Sequence, residues 1–341
     1  MSLKIPVEAS GSQPTPVETG RFGAGGMGNT LAHMRSRLLI CLMVLCIGAF
    51  SLWGPGASGQ ETHTTIRAEV ALVNVVFTAV DRDNRPIQGL KPDDFQIFEN
   101  RVPQKIEYFS AVGKGSEVPL TIALLIDTSG SVKDKLEFEK QTAAEFFKEV
   151  LRPEKDLALI IQFDSEVNLV QDFTQRQSDL LRALDSLKAG NSTSLYDAVY
   201  LAAEEKLRGE IGRKVMVVIT DGEDTSSKLR KEEAIESAQK GDVLIYGIGV
   251  RSEEFGSNFG VLKKFAEETG GAFFSPRAKL AEIQEAFRAI GQEIQGQYSL
   301  AYISTNKKRD GAFRSIDLRC KVRGVRIRAR KGYYAPKSGT P

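Results

Sequence analysis

From Leu120 to Ile126 the chain is almost unbroken in apolar residues, the pattern of a central strand covered on both faces. A different rhythm follows, with Phe138, Ala143, Phe146, Phe147 and Val150 at helical spacing until Pro153 stops it, so a helix with an aromatic core stripe is expected. The alternation then repeats. Strands are predicted at Leu157 to Phe163, near Val167 to Val170 as an edge, at Val215 to Thr220, at Val243 to Val250 and at Ala272 to Ser275. Helices are predicted at Ser178 to Leu187, Leu195 to Leu207, Leu229 to Lys240, Phe259 to Thr269 before the Gly270-Gly271 stop, and Leu280 to Gln295. Strands that alternate with helices predict an α/β fold with a doubly wound, mostly parallel sheet.

The flanks have period two instead. Between Ile66 and Phe109, Val70, Leu72, Val76 and Thr78 share one parity while Val73, Val75, Phe77 and Ala79 share the other, with turn residues at Asp81 to Pro86. After Gln297 the runs Tyr298 to Ser304, Phe313 to Val322 and Val325 to Arg330 are strand-like. Neither flank is long enough for a stable sheet pair alone. They are therefore expected to join into one β-sandwich-like module, with the α/β domain inserted between them. The expected segments are 60–115, 116–296 and 297–341, with Gly113 to Ser116 as the linker into the middle one.

Ahead of them, Arg35 and Arg37 precede the apolar run Leu38 to Trp53, which a Gly-Pro-Gly break and Ala57-Ser58-Gly59 follow. That is the layout of a signal peptide over 34–59. Export to the periplasm or the exterior is the expectation, with an inner-membrane anchor through 38–53 as the alternative. Residues 1–33 are rich in Gly, Pro, Ser and Thr and are read as a leader, untranslated or disordered, with Met34 as the start. Without residues 1–59, the 46 basic and 44 acidic residues become 42 of each, which gives no reason to expect a nucleic-acid partner. One cysteine, Cys320, and one histidine, His63, remain, so an internal disulfide and Ser-His-Asp or Cys-His catalysis are excluded. The last segment is strongly basic, with Arg326, Arg328 and Arg330 on one parity. It is either a solvated strand face or a contact surface for an acidic partner or lipid headgroups.

The candidate chemistry begins where the apolar strand ends. Asp127, Ser129 and Ser131 alternate along the next loop, so their oxygens can converge while Gly130 allows the bend. A carboxylate and two hydroxyls are hard ligands that suit Mg²⁺, Mn²⁺ or Ca²⁺. Two more polar pieces follow buried elements: Gly190 to Ala198, which contains Thr193, and Thr220-Asp221-Gly222 after a second apolar strand. Together the three resemble the metal-ion-dependent adhesion site of von Willebrand factor A (VWFA) domains, which also carry a doubly wound, Rossmann-like sheet. The resemblance implies a cation held by Asp127, Ser129, Ser131, Thr193 and Asp221, with the hydroxyls touching the metal directly and one or both aspartates acting through water. So few anions leave the ion electrophilic, able to take a carboxylate from a protein partner. The flanks, with Asp94-Phe95-Gln96-Ile97-Phe98-Glu99-Asn100 before and Gly332-Tyr333-Tyr334-Ala335-Pro336 after, resemble a VWFA-related family of Acidobacteria.

Competing readings are weaker. An aspartic protease would need a second Asp-Thr-Gly loop, and a phosphotransferase would need an aspartate where Ser129 stands. Asp197 and Asp224 suit helix caps or loop turns, and Cys320 a strand interior. The expected function is metal-dependent protein binding in adhesion or assembly, without catalysis. The alternative is a non-catalytic subunit or scaffold of an envelope enzyme or ATPase-linked complex.

Overall fold

The computed structural model of the chain describes residues 72–113, 115–132, 135–220, 224–251 and 259–337, with the Ser131 side chain left out. The expected leader 1–33 and signal peptide 34–59, with His63 and Asp221, lie outside the described residues. Among those described, no helix is long and apolar enough to cross a membrane.

The middle of the chain alternates as expected: β5 (Leu120–Asp127), α1 (Leu136–Val150), β6 (Leu157–Phe163), β7 (Val167–Thr174), α2 (Gln177–Ser186), α3 (Leu195–Tyr200), β8 (Arg213–Thr220), α4 (Lys231–Lys240), β9 (Val243–Gly249), α5 (Gly260–Thr269), β10 (Phe273–Phe274) and α6 (Leu280–Gln295). The strands form one six-stranded sheet in the order β10-β9-β8-β5-β6-β7, parallel throughout except for the edge strand β7. Every residue of β5 and β8 is buried because helices cover both faces. On one face Ile122, Leu124 and Ile126 pack with Phe147, Leu180 and Ile290 from α1, α2 and α6. On the other, Ala123 and Leu125 pack with Val199, Ala234 and Phe265 from α3, α4 and α5.

Two details differ from the sequence expectation. Phe138 is 41% exposed at the start of α1, so the aromatic stripe that reaches the core is Phe146 and Phe147 alone. The predicted helix from Leu195 changes hydrogen-bond pattern at Leu201, running as a π-helix to Lys206 and a 3₁₀ turn to Gly209. Pieces of six and three residues span too few turns for apolar periodicity to separate the windings.

The flanks form two antiparallel four-stranded sheets. One has the order β13 (Arg326–Ala329), β1 (Leu72–Val80), β11 (Tyr298–Ile303), β4 (Ile106–Ala111). The other has β14 (Gly332–Tyr334), β12 (Phe313–Cys320), β2 (Phe95–Glu99), β3 (Val102–Gln104). Each sheet takes strands from both ends of the described chain, which gives the sandwich-like module read from the sequence. Val75 and Phe77 of β1, Ile97 of β2, Leu300 and Tyr302 of β11 and Leu318 of β12 meet in its core. Glu99 is buried there, accepting bonds from Tyr302 Oη and Tyr333 Oη, both at 2.9 Å, and from Ser304 Oγ at 2.8 Å, with Arg314 3.5 Å away. A buried charge is tolerable when it is paired and hydrogen-bonded in this way.

The arginines at and just after β13 are taken up partly within the sandwich and partly by the α/β layer. Arg326 and Arg328 both donate to Asn84 Oδ1, at 2.8 and 2.7 Å, Arg328 also pairs with Glu293 of α6, and Arg330 pairs with Asp242 before β9. Gly270, the left-handed C-cap of α5 at φ +89°, sits so close that an added Cβ would lie 2.5 Å from the Ala329 carbonyl carbon. Only glycine meets both demands without strain.

Candidate metal centre

The candidate loop leaves the sheet at the C-terminal end of β5, where ligands collect in open α/β sheets. Asp127 is fully buried, and its carboxylate is held from two sides: Ser129 N–H donates to Oδ1 at 2.8 Å and the Thr220 hydroxyl, from the end of β8, donates to Oδ2. The first bond closes the tight loop after β5. The second follows from register, since β5 and β8 pair in parallel from Leu120 with Arg213 to Ile126 with Ile219, which sets Thr220 next to Asp127.

The threonine loop is fastened to the same place. Gly130 N–H donates to Asn191 O at 2.9 Å and Gly190 N–H donates to Thr128 O, so the two loops share backbone bonds. Ser194 N–H donates to Asp164 O at 2.8 Å, which anchors the loop to the turn after β6. Gly190 packs so tightly there that a Cβ would fall 2.0 Å from Asp164 Oδ2. Thr193 itself is 5% exposed. Its N–H donates to Thr225 Oγ1 at 3.0 Å, and its carbonyl accepts from Thr225 N at 2.9 Å and Ser226 N at 3.1 Å. The backbone of Thr193 is thus committed on both sides, while among the described residues its hydroxyl donates to no protein group.

The loop after β8 carries the remaining supports. Asp224 Oδ1 accepts from Tyr196 N–H at 3.2 Å and from the Ser227 hydroxyl, and Asp197 accepts from the backbone N–H groups of Lys228 and Leu229 at 2.9 to 3.1 Å. These two aspartates tie loops together at the start of α3, the role expected of them from sequence. The sequence singles out Thr220 only as the start of Thr220-Asp221-Gly222, and it gives no such motif for the supports Thr225, Ser226 and Ser227. The only signal for them is the hydroxyl-rich run Thr225-Ser226-Ser227 itself.

Of the five residues singled out from sequence, Asp127, Ser129 and Thr193 are therefore on two loops in backbone contact. Ser131 is described in its backbone alone, in the 3₁₀ turn Gly130–Val132. Asp221 lies outside the described residues, one position beyond the Thr220 that touches Asp127. Among the described residues no three His, Cys, Asp or Glu side chains gather as a metal cluster.

The donor chemistry suits a hard divalent cation. Each Asp127 oxygen accepts a bond from protein, and a carboxylate oxygen is a hard ligand of the kind such cations take. Ser129 is 3% exposed and Thr193 nearly as buried, so their hydroxyls are shielded from bulk water without being lost to the core.

Residues 121–289 match the family model of the von Willebrand factor type A domain. The A-type match begins inside β5 and ends within α6, so it takes in both loops of the site. An uncharacterized protein of Borreliella burgdorferi is 27% identical over 208 residues, which is 58% of this chain. The alignment spans 60% of that relative's length. Among solved structures, conserved hypothetical protein BatB of Bacteroides thetaiotaomicron is 21% identical, covering 51% of this chain and 97% of its own, with a TM-score of 0.43. The vWF domain of the type V pili tip protein Mfa5 of Porphyromonas gingivalis is 16% identical, covering 57% and 99%, at 0.46. Proximal thread matrix protein 1 from the mussel byssus, with a zinc-occupied MIDAS motif, is 17% identical, covering 56% and 48%, also at 0.46.

Proposed function

We propose that this protein is an exported, non-catalytic binding module that grips an acidic side chain of a protein partner through a divalent cation. Mg²⁺ is the favoured ion, with Mn²⁺ and Ca²⁺ as substitutes, and Asp127, Ser129, Ser131, Thr193 and Asp221 hold it. The observation that carries this reading is the convergence of the Asp127 loop and the Thr193 loop at the end of β5, in a segment that matches the A-type family. Export rests on the signal-like 34–59 segment of the sequence.

The division of labour among the residues follows from their bonds. Asp127, pinned by Ser129 N–H and Thr220, supplies a fixed negative charge at the base of the site. Ser129 and Thr193 supply neutral oxygens on backbones that other bonds hold still, so little ordering remains when an ion arrives. A cation with mostly neutral ligands retains Lewis acidity, and that is the chemistry it contributes: a position for the partner's carboxylate. Recognition of a carboxylate by this route is lost when the ion is chelated.

Affinity capture from the cell envelope tests the function. The tagged chain should retain a partner in Mg²⁺ and release it in EDTA, and Asp127→Ala should retain none in either buffer. Capture that is indifferent to both chelator and substitution contradicts the reading.

A further inference from the structure

At the opposite end of β8 from the Asp127 loop, Arg213, Lys214 and Arg330 border one cavity of about 50 Å³; Lys214 and Arg330 act on each other there, while the Arg213 guanidinium turns to the α6 side of the sheet. Arg213 and Lys214 open β8, and Arg330 follows β13, so the cavity lies where the A-type sheet meets the sandwich. Arg213 is 3% exposed, and Lys214 and Arg330 are each 9% exposed. The one carboxylate in the lining is Asp242, which pairs with Arg330.

Neither of the other two cations forms an ion pair among the described residues, although the Asp156 charge favours Arg213 from further off. Arg213 donates through Nη1 to neutral acceptors, Ile294 O at 2.7 Å and Gln297 Oε1 at 2.9 Å. Its Nε–H, like that of Arg330, is buried with no acceptor. Lys214 has neither hydrogen bond nor ion pair there, and the charged groups that act on it are Arg330, unfavourably, and Glu210, favourably. Burial, followed by the Arg330 charge, holds the Lys214 ammonium below its usual pKa, and burial pushes Arg213 and Arg330 down to about 10. Excess buried positive charge is costly unless something negative joins it.

The room matches such a guest. A water needs roughly 10–15 Å³ of such space, so the cavity suits a tetrahedral anion in place of a few waters. An adjoining cleft of about 240 Å³ shares Asn74, Gln239, Asp242 and Arg330 with it, leading outward past Lys240. Guanidinium forks and an ammonium are the groups that proteins use for phosphate-type oxyanions.

We propose that this junction cavity is a binding site for a small oxyanion of the phosphate class, with Lys214 as its principal unshared donor and Arg330 as the second cation in its wall. The bound anion would join β8 of the A-type sheet to Arg330 just after β13.

Isothermal titration of inorganic phosphate into the full chain, with chloride keeping the ionic strength constant, tests it. Lys214→Met keeps the aliphatic stem and removes only an unpaired charge, so its melting temperature in chloride should equal or exceed that of the unsubstituted chain. Phosphate should bind the unsubstituted chain at one site, sulfate should compete, and Lys214→Met should bind about tenfold or more weakly. Lys240→Met, at the cleft mouth, should bind as before. Co-sedimentation with phosphatidylcholine vesicles containing a minority of phosphatidylglycerol separates the sources of the anion. Phosphate binding without pelleting assigns a soluble oxyanion, and pelleting lost in Lys214→Met assigns a lipid headgroup. Equal phosphate binding by the chain and Lys214→Met, no binding to either, or a lower melting temperature for Lys214→Met in chloride overturns the proposal.

Discussion

Replacing Thr220 by valine removes one hydroxyl and leaves the shape of the side chain nearly unchanged. In the folded protein that hydroxyl donates to Asp127 Oδ2, and both residues are fully buried. A hydrogen bond to a charged group is worth about 1.5–3 kcal/mol, and a buried carboxylate that loses one of its donors bears more of its desolvation cost. Thr220→Val should therefore lower unfolding free energy by about 1.5–3 kcal/mol in chelator, measured by urea denaturation. It should also weaken Mg²⁺ binding by about 10–100-fold, the usual effect of losing a group that orients a metal ligand. Both numbers are needed together. Ordinary core damage would lower stability and leave Mg²⁺ affinity intact, whereas a partner of the ligand must change both. An unchanged Mg²⁺ isotherm for a folded Thr220→Val would refute the claim that Asp127 faces the cation while Thr220 aims it.

Other substitutions separate the backbone of the site from its ligands. Thr193→Val leaves the bonds to Thr225 and Ser226 in place, so stability should change by less than about 1 kcal/mol while Mg²⁺ binding in calorimetry drops about tenfold or more. Gly190→Ala must push Asp164 aside, and should cost about 1–3 kcal/mol in urea denaturation as well as metal affinity. Away from the site, burial opposes charge on Asp156, but the Arg152 guanidinium and the N–H groups of Arg152 and Leu120 outweigh it and hold the carboxyl below its usual pKa. A depressed folded pKa gives stability that is present above the unfolded value of about 3.9 and is lost as pH falls through the folded value. The cost of Asp156→Asn should accordingly be constant from neutral pH to about 5 and shrink below about 4. A cost that grows on acidification would contradict that sign.

The legible and the illegible parts of this molecule differ in physical kind. β5 and β8 could be read because burial on both faces demands apolar residues at every position, and their carboxyl ends mark where Asp127 and Thr220 must emerge. The pairing of the two flanks could be argued from the shortness of each. The strand β14 could not, because three residues beginning with a glycine give no alternation to read. Charge patterning left the arginines of β13 open between a solvated face and a docking surface. In the structure Asn84, Glu293 and Asp242 take them up, partners far away in sequence. The same holds at the candidate site. Its ligand candidates follow a motif, but the bonds that fasten the loops join residues about thirty positions apart or more, such as Thr193 with Thr225 and Asp127 with Thr220. Hydroxyl-to-backbone contacts of that span have no periodic signature.

The most direct test of the account is calorimetric titration of Mn²⁺ into the metal-free chain and into Asp127→Ala, with both shown to be folded by circular dichroism. The account predicts one ion bound per chain, displaced by Mg²⁺ in excess, and no binding to Asp127→Ala. Equal Mn²⁺ binding by both proteins, or binding by neither, would contradict it.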